Sequence, residues 1–216
     1  MSLKPITVYG IGPGPNPWKV VMILKELNIP YIYKLIPMPD LKTEPFISIN
    51  PNGKVPVIED PNTGITLSES GAILEYLVET YDKQHTISFT AGSKDYFQAK
   101  QWLHFQMSGQ GLFFGQAFWF TRFHPEKVQS AVDRYVKEVH RVTAVLDRVL
   151  EGKQYLVGDK FSYVDAAFVP WFGFVGLWKI DLEKEFPNVN AWLSRLQARP
   201  AIAEALKQKA ELSAPH

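Results

Sequence analysis

The chain of 216 residues carries a formal net charge of +1, from 23 basic and 22 acidic side chains. This near balance excludes the strongly basic surface with which proteins bind nucleic acids. Because the chain contains no cysteine, disulfides, metals bound by thiolates and catalysis by a cysteine of the protein itself are excluded as well.

Hydrophobic residues make up 46% of the chain, enough for a packed core, and the length suits two modest domains. The first ten residues lead directly into a strand pattern, without the charged and apolar leader of a targeting signal. The uncharged stretch after Asp165 has 13 residues, whereas a membrane-spanning helix needs about 20. We therefore expect a soluble cytosolic protein that does not enter a membrane.

The first strand is predicted at residues 6–9 (ITVY), an apolar run ahead of a loop rich in glycine and proline. A helix pattern starts directly after this loop. Pro17 suits the first helical position, where the N–H that proline lacks is not needed. The apolar residues that continue the pattern at helical spacing are Val21, Leu24 and Leu27.

Three more strands and a helix are predicted before residue 82. A second strand is expected at residues 31–36. Two further strand patterns, 54–60 and 64–68, are joined by the turn-forming sequence DPNTG. A helix is predicted at residues 70–81, so the order of elements is β-α-β, a loop, and then β-β-α.

From about residue 92 the pattern is helical to the end, and residues 82–91, which lack periodicity, form the predicted linker. Apolar residues at alternating spacings of four and three indicate one long amphipathic helix that stops near Gly152. They are Val128, Val132, Tyr135, Val139, Val142, Leu146 and Val149. Ser162 and Asp165 are spaced as a capping box at the start of a very apolar helix.

Four short motifs, in this order of elements, resemble the soluble glutathione transferases over essentially the whole chain. They are PNPWKV (15–20), NPNGKVPVI (50–58), LSESGAILEYL (67–77) and LVGDKFSYVDAAF (156–168). The resemblance implies an α/β domain followed by an all-α domain. The first, at residues 1–82, is a thioredoxin-like βαβ-ββα domain that binds glutathione. The second, at residues 92–216, is a helical bundle that forms the pocket for the second substrate.

The segment QWLHFQMSGQGLFFGQ (101–116) is similar to one branch of this family. That branch is fungal and bacterial, and it places an asparagine near the sulfur of glutathione. It includes the yeast nitrogen-regulator-like transferases and the bacterial nu class.

The KVPV stretch offers a place for an extended peptide. Pro56 cannot donate a hydrogen bond to a ladder, so the backbone of Val55 can pair with a peptide that adds to the sheet. An ordinary edge strand is the alternative interpretation. The resemblance implies that the bond between these two residues is cis and that the peptide is glutathione.

Glu69 and Ser70 lie where a strand turns into a helix. A helix N-terminus suits a carboxylate and Glu69 can meet an ammonium group, and the γ-glutamyl end of glutathione carries both. Ser70 can also be a plain N-cap, and the two roles are compatible. Lys42 and Lys54 are candidates for the glycyl carboxylate, or else solvated surface charges. The family often has a histidine where this chain has Leu41.

Asn16 is predicted to face the sulfur of glutathione. Its amide can donate a hydrogen bond to a thiolate, the proline-rich loop fixes its approach, and the helix N-terminus adds positive potential. A plain N-cap role is the alternative. Gly14 departs from the bacterial members that carry a threonine at this place. Tyr9 is a rival, because other classes activate the sulfur with a tyrosine at the end of the first strand.

Three glycines in the aromatic segment indicate that something approaches the helix closely, because each costs about 1 kcal/mol relative to alanine. Gly109, Gly111 and Gly115 could face a partner helix, the N-terminal domain or a ligand. The aromatic residues could be core, but the interleaved glutamines favour a pocket wall or a dimer seam. The residues assigned to the second-substrate pocket are Phe105, Gln110, Phe113, Phe114 and Trp171. The histidines show no metal-ligand spacing, so no metal is expected.

We therefore interpret the chain as a homodimeric glutathione transferase that acts in detoxification. A glutathione thiolate stabilised by Asn16 would attack a hydrophobic electrophile. As the branch implies, it could instead reduce disulfides or peroxides, with glutathione as the co-substrate. The alternative is a transferase-like binding or regulatory module with weak catalysis. The sequence does not identify the second substrate.

Overall fold

The computed structural model describes residues 2–213, which form two compact units. Residues 2–88 and 198–213 make up the first unit, and residues 89–197 make up the second. Residues 1 and 214–216, which the predicted domains included, lie outside the described part of the chain. Within the described part, no helix combines the length and the apolar character that crossing a bilayer requires.

The first unit contains a four-stranded sheet of thioredoxin-like topology, as predicted. In space the strands run β2-β1-β3-β4, with β1 parallel to β2 and antiparallel to β3. The strands are β1 (Ile6–Gly10), β2 (Tyr31–Leu35), β3 (Val57–Asp60) and β4 (Ile65–Ser68). The helices that follow them in the chain are α1 (Pro15–Glu26), the short α2 (Phe46–Ile49) and α3 (Ser70–Tyr81). The helix predicted at 70–81 is confirmed.

Helix α1 is buried along most of its length. Residues 17–24 are all buried, among them Trp18 at 0% exposure. One of these buried residues is charged, namely Lys19, with 1% of its surface exposed. The helix packs against β1 and α3. This packing therefore gives the N-terminus of α1 a fixed position within the first unit.

The second unit is helical throughout, as predicted. Its helices are α4 (Lys94–Phe105), α5 (Leu112–Arg122), α6 (Gln129–Val149), α7 (Tyr163–Phe172), α8 (Leu182–Glu185) and α9 (Pro187–Gln197). A π-helical segment, Gln106–Gly111, joins α4 to α5. The long amphipathic helix is confirmed as α6. Gly152 follows it with a φ of 69°, a backbone conformation that glycine adopts readily.

One of the three glycines in the aromatic segment makes room for a tryptophan of another helix. A Cβ added at Gly115 would lie 3.3 Å from Cη2 of Trp171 in α7. One added at Gly111 would meet the carbonyl oxygen of Gln106 in its own segment at 3.3 Å, and Nε1 of Trp171 at an ordinary 3.7 Å. At Gly109 the nearest atom would be on the ring of Phe105, at an ordinary 3.6 Å. A partner helix, one of the three possibilities considered, therefore accounts for the close approach at Gly115.

Asp165 closes the predicted capping box at the start of α7. The backbone N–H and the hydroxyl of Ser162 donate to its Oδ2 at 2.9 and 2.8 Å. The backbone N–H of Leu156 and the indole N–H of Trp192 donate to its Oδ1, each at 3.0 Å. Burial raises the pKa of Asp165, whereas the donated hydrogen bonds act against that rise. The box is confirmed, and it belongs to a larger buried network.

The last helix of the described chain, α10 (Pro200–Ser213), belongs to the first unit because it packs along α1. Lys25 of α1 pairs with Glu204 of α10 at 2.7 Å. The guanidinium of Arg199, just before α10, donates to both carboxylate oxygens of Glu26 at 2.7 and 2.8 Å. The predicted domain boundaries, which kept this segment with the other helices, differ from the units of the structure here.

Candidate active site

Eight residues line a cleft of about 150 Å³ in the first unit. They come from the start of α1, from the loop ahead of β3 and from the start of α3. They are Asn16, Asn50, Asn52, Lys54, Val55, Pro56, Glu69 and Ser70. All the residues predicted for the glutathione site lie in this set except Lys42. Asn50 and Asn52 were not assigned a role from the sequence.

Asn16 lies in the first turn of α1. Gly14 is the N-cap, with an extended backbone, and α1 begins at Pro15. The interpretation of Asn16 as an N-cap is therefore wrong, and the helix starts two residues before the predicted Pro17. Pro15 takes the first position for the same reason, because it lacks the N–H that is unused there. The amide of Asn16 is carried at the positive end of the helix dipole.

The loop ahead of Asn16 is held by two aromatic side chains. The indole N–H of Trp18 donates to the carbonyl of Gly12 at 2.9 Å, and the hydroxyl of Tyr33 donates to the carbonyl of Ile11 at 2.9 Å. The two rings stack with their centroids 5.0 Å apart. The backbone that leads to Asn16 is therefore fixed from α1 and from β2 at the same time.

Gly12→Ala is expected to displace this loop. The added Cβ would lie 2.3 Å from the carbonyl oxygen of Leu212 in α10, and a backbone atom cannot move aside as a flexible side chain can. We expect the free energy of unfolding to fall by about 2 kcal/mol, a typical overpacking penalty. Urea unfolding followed by tryptophan fluorescence measures it. Gly176→Ala is the control, since its Cβ would meet open space. Equal effects of the two substitutions would contradict the expectation.

The hydroxyl of Tyr9, the rival of Asn16, is bonded within the sheet. It donates to Oε2 of Glu59 on β3 at 2.7 Å, and Nζ of Lys34 lies 3.4 Å from it. Burial, together with the bond to Glu59 and its charge, raises the pKa of Tyr9 to about 12. Tyr9 is not among the residues that line the cleft. Its geometry is that of a structural residue of β1.

The loop ahead of β3 presents the edge predicted to pair with a peptide. The Val55–Pro56 bond is cis, as the resemblance implied, and β3 begins at the next residue. Asn50 holds this loop, because its Nδ2 donates to the carbonyl of Lys54 at 2.7 Å and its Oδ1 accepts the N–H of Asn52 at 3.2 Å. The Asn-Pro pair at 50–51, a turn signal, could have pointed to this role.

The two candidate lysines are both exposed but differ in their contacts. The ammonium of Lys42 donates to the carbonyl of Asn52 at 2.6 Å, so it braces the loop from outside the cleft lining. Lys54 lines the cleft itself. Lys54 is therefore the better placed of the two to meet a carboxylate.

Glu69 and Ser70 form the start of α3 in an unusual backbone conformation. Glu69 is the N-cap, with φ 68° and ψ 111°, a region that side-chain-bearing residues rarely adopt and that is enriched at functional sites. Ser70, the first residue of α3, is 2% exposed. The buried ammonium of Lys19 donates to Oγ of Ser70 at 3.3 Å. Sequence reasoning missed Lys19, because its spacing on α1 does not distinguish it from a surface lysine.

The residues assigned to a second-substrate pocket divide into two groups. Gln110 and Phe114 are 0% exposed, and Gln110 accepts from Gln106 at 3.0 Å and donates to the carbonyl of Phe168 at 3.3 Å. These two are core residues of the second unit and do not line an open surface, which corrects their assignment. Phe105 and Phe113 are half-buried, and Trp171 is 7% exposed.

The cleft has the features of a site for a short peptide that carries charges of both signs. The backbone beside Pro56 can pair with an extended chain. The start of α3 suits a carboxylate, and the carboxylate of Glu69 suits an ammonium group. The side-chain amide of Asn16 adds a hydrogen-bond donor for a third group of the bound peptide. Within the described residues, no cluster of histidine, aspartate and glutamate could hold a metal ion.

Comparison with known proteins agrees with this description. Family models for the N-terminal and C-terminal domains of glutathione S-transferases match residues 13–80 and 112–200. The glutathione S-transferase-like protein tpcF of Aspergillus fumigatus is 48% identical, over 95% of this chain and 96% of its own.

The chain is also similar to solved structures of glutathione transferases from Phanerochaete chrysosporium. The glutathione transferase URE2P8, with oxidized glutathione, has a TM-score of 0.95 and 35% identity, covering 99% of this chain and 98% of its own. Ure2p5, cocrystallized with 1-(S-glutathionyl)-2,4-dinitrobenzene, has a TM-score of 0.88 and 40% identity, covering 96% of both chains. The chain therefore belongs to the glutathione S-transferase family, among its Ure2-like members. This membership supports glutathione transferase activity.

Proposed function

We propose that the cleft binds glutathione and holds its thiolate beside Asn16 for attack on an electrophilic substrate. The observation that carries this proposal is the convergence of three distant stretches of sequence on one cleft. Each stretch supplies a different binding group. The first supplies the amide of Asn16, the second the backbone of Val55, and the third the start of α3 with Glu69 and Ser70.

Glutathione fits the cleft through complementary groups. Its cysteinyl backbone pairs with Val55 as an added strand, and its γ-glutamyl carboxylate lies at the start of α3, where it accepts a hydrogen bond from Ser70. Its ammonium group meets Glu69, and its glycyl carboxylate meets Lys54. Asn16 then donates from its amide to the sulfur. The complexes of URE2P8 and Ure2p5 with glutathione compounds support this choice of ligand.

The second substrate is proposed to be a hydrophobic electrophile, a disulfide or a peroxide. Phe105 and Phe113, which are half-buried, offer apolar surface in the second unit for such a molecule. With a mixed disulfide, the glutathione thiolate attacks one sulfur, the other leaves as a thiolate, and glutathione disulfide forms when the attacked sulfur belongs to glutathione. Because the chain has no cysteine, the glutathione sulfur alone carries this exchange. A homodimer is proposed from the exposed Phe97 (61%) and Leu112 (50%).

A co-substrate screen tests the proposed function. Glutathione is offered with a chlorinated dinitrobenzene, with an organic hydroperoxide and with a small mixed disulfide, and turnover is compared with the rate in the absence of protein. We expect turnover of at least one of them. Binding of glutathione without any turnover would favour the alternative of a binding module. Absence of glutathione binding would overturn the proposal.

Ser70→Ala is expected to weaken glutathione binding by about 1–3 kcal/mol, which corresponds to roughly 5- to 150-fold, since it removes a donor to a charged group. The pKa of the bound thiol should stay within a few tenths of a unit, because Ser70 contacts the end of the tripeptide remote from the sulfur. Calorimetry gives the affinity. Ser68→Ala, two residues earlier and outside the cleft lining, is the matched control and should bind normally. A changed thiol pKa with unchanged affinity would contradict this role.

A further inference from the structure

A loop of four residues brings Asn16 to the cleft. It spans residues 11–14, between the end of β1 and the start of α1. Pro13 within this loop and Pro15 directly after it lack the N–H with which a backbone donates hydrogen bonds. The loop therefore has few donors of its own, and contacts from the surrounding elements matter for where Asn16 lies.

Two side chains that are not part of the cleft lining bond to the carbonyls of this loop. The hydroxyl of Tyr33, on β2, donates to the carbonyl of Ile11 at 2.9 Å. The indole N–H of Trp18, on α1, donates to the carbonyl of Gly12 at 2.9 Å. The direction of both bonds is fixed by their chemistry, because a carbonyl only accepts. Burial raises the pKa of Tyr33, so its hydroxyl keeps the proton that it donates.

The hydroxyl of Tyr33 occupies a space that a glycine leaves open at the end of β1. A Cβ added at Gly10 would lie 2.1 Å from this oxygen and 2.9 Å from Cβ of Pro17, so any side chain there would displace the tyrosine. The ring of Tyr33 is stacked on Trp18, with the centroids 5.0 Å apart. The hydroxyl is therefore held against the loop by packing on more than one side.

We propose that Tyr33 is a positioning residue for Asn16. By holding the carbonyl of Ile11, its hydroxyl keeps the loop where the amide of Asn16 can donate to the sulfur of a bound glutathione. Trp18 supports the loop in the same way through Gly12. This inference rests on the proposed function of the cleft. Tyr33 acts through the loop and lies outside the residues that line the cleft.

The quantity that this positioning governs is the pKa of the bound thiol. An aligned hydrogen bond from Asn16 lowers that pKa by about one to two units. The bond weakens steeply when its donor is displaced or turned. Loss of the Tyr33 hydroxyl removes one of two bonds to the loop, so we expect it to forfeit part of this effect. A rise of about half a unit to one unit corresponds to a three- to tenfold fall in the acid dissociation constant of the thiol.

Tyr33→Phe tests the positioning, because it removes the hydroxyl and keeps the ring that stacks on Trp18. The thiolate absorbance of the glutathione complex, followed against pH, should show the rise in pKa derived above. S-methylglutathione, which has no thiol, serves as the probe of binding alone. Its affinity should stay within about twofold of the wild type, because the contacts proposed with Val55 and with the start of α3 are unchanged.

Tyr31→Phe is the matched control on the same strand. The hydroxyl of Tyr31, two residues earlier on β2, donates to Oε1 of Gln208 in α10 at 2.7 Å and not to the loop. Both tyrosines are half-buried, so the two substitutions remove the same group from similar surroundings. Tyr31→Phe should leave the thiol pKa within a few tenths of a unit of the wild type.

Combining Tyr33→Phe with Asn16→Ala separates positioning from a merely structural role. If Tyr33 acts through Asn16, its loss has no further effect on the sulfur once the amide is gone. The double variant should then have the thiol pKa of Asn16→Ala alone. A structural effect that spreads through the cleft would instead add to the effect of Asn16→Ala.

The outcomes distinguish this inference from the function on which it rests. If Asn16→Ala raises the thiol pKa and Tyr33→Phe does not, or if the two effects add in the double variant, the role of Tyr33 is wrong and the proposed function stands. If the wild type does not bind glutathione, both fail. If Asn16→Ala leaves the thiol pKa unchanged, the sulfur contact of Asn16 and this inference fail together, while glutathione binding stands.

A second variant covers the case in which Tyr33→Phe does not fold. Trp18→Phe removes the bond to the carbonyl of Gly12, the other bond that holds the loop. It should raise the thiol pKa in the same direction, and it should do so only while Asn16 is present. An unchanged thiol pKa in Trp18→Phe would then overturn the inference.

Discussion

Asp165→Ala is expected to lower the free energy of unfolding by about 4 kcal/mol. Four buried donors from three residues bond to this carboxylate, and a buried donor left without a partner costs about 1–3 kcal/mol. The Ser162 hydroxyl can rotate to another acceptor, so the loss in free energy of unfolding stays below the sum for four unpaired donors. Proteins of this kind are stable by only about 5–15 kcal/mol, so the variant should be close to its limit of folding. Urea unfolding measures the loss.

A matched control is available at another helix N-terminus. The carboxylate of Asp181 caps α8 by accepting the backbone N–H of Lys184 at 3.2 Å, but it lies at an exposed position and accepts this one bond from the helix. Asp181→Ala should therefore cost about 1 kcal/mol, the usual value for a lost cap. Trp192→Phe, which removes one donor from Asp165, should fall between the two. Equal losses for Asp165→Ala and Asp181→Ala would mean that the buried network adds nothing to the cap.

Asn16→Ala is expected to raise the pKa of the bound glutathione thiol by about one to two units. A hydrogen bond to a charged group is worth about 1.5–3 kcal/mol, and each pKa unit corresponds to about 1.4 kcal/mol. Glutathione should still bind, because the contacts proposed for it with Val55 and with the start of α3 are unchanged. The measurement is the ultraviolet absorbance of the thiolate in each complex as a function of pH.

Tyr9→Phe is the control for this measurement, and it should leave the thiol pKa within a few tenths of a unit. The hydroxyl of Tyr9 is bonded to Glu59, so its loss affects the sheet rather than the cleft. A shift in Tyr9→Phe without one in Asn16→Ala would place the protein with the tyrosine classes. If the thiol pKa shifts in neither variant, the sulfur of glutathione does not contact Asn16, and the proposed role of Asn16 is wrong.

The loss of rate from ionisation alone should be modest. A thiol of pKa ~8.5 is about 3% ionised at pH 7, and lowering its pKa to ~6.5 gives about 75% thiolate. The less basic thiolate is about 8-fold less nucleophilic at a Brønsted slope of ~0.45, so the net gain is about 3-fold. A larger loss in Asn16→Ala would therefore come from misplacement of the sulfur, since positioning contributes more to such reactions.

The features that were predictable from the sequence are those fixed by local chemistry. The bounds of α3, the cap of Ser162 and Asp165, and the long α6 all follow from spacing and capping preferences within one segment. The start of α1 was misplaced because two prolines, Pro15 and Pro17, suit the first position equally well by their own chemistry. The choice between them depends on how Trp18 and Tyr33 hold the loop ahead of the helix, which lies beyond the segment itself.

The features that were not predictable depend on burial by distant parts of the chain. From the sequence, Gln110 is predicted to be a polar residue on a pocket wall. In the structure it is buried, and its amide bonds to Gln106 and to the carbonyl of Phe168. Lys19 reads as a surface lysine until α3 closes over α1. In both cases the polar group is satisfied by a partner that its own segment cannot reveal.

The packing of α10 on α1 has a consequence for how the protein is made on the ribosome. The first unit lacks one of its helices until residues 198–213 are synthesised, after the whole of the second unit. At about 5–20 residues per second, the intervening stretch of some 110 residues takes about 5 to 20 s. During that time Lys25 and Glu26 on the nascent α1 lack their partners Glu204 and Arg199. All the residues that line the cleft, from Asn16 to Ser70, therefore emerge before the helix that packs along α1 is made.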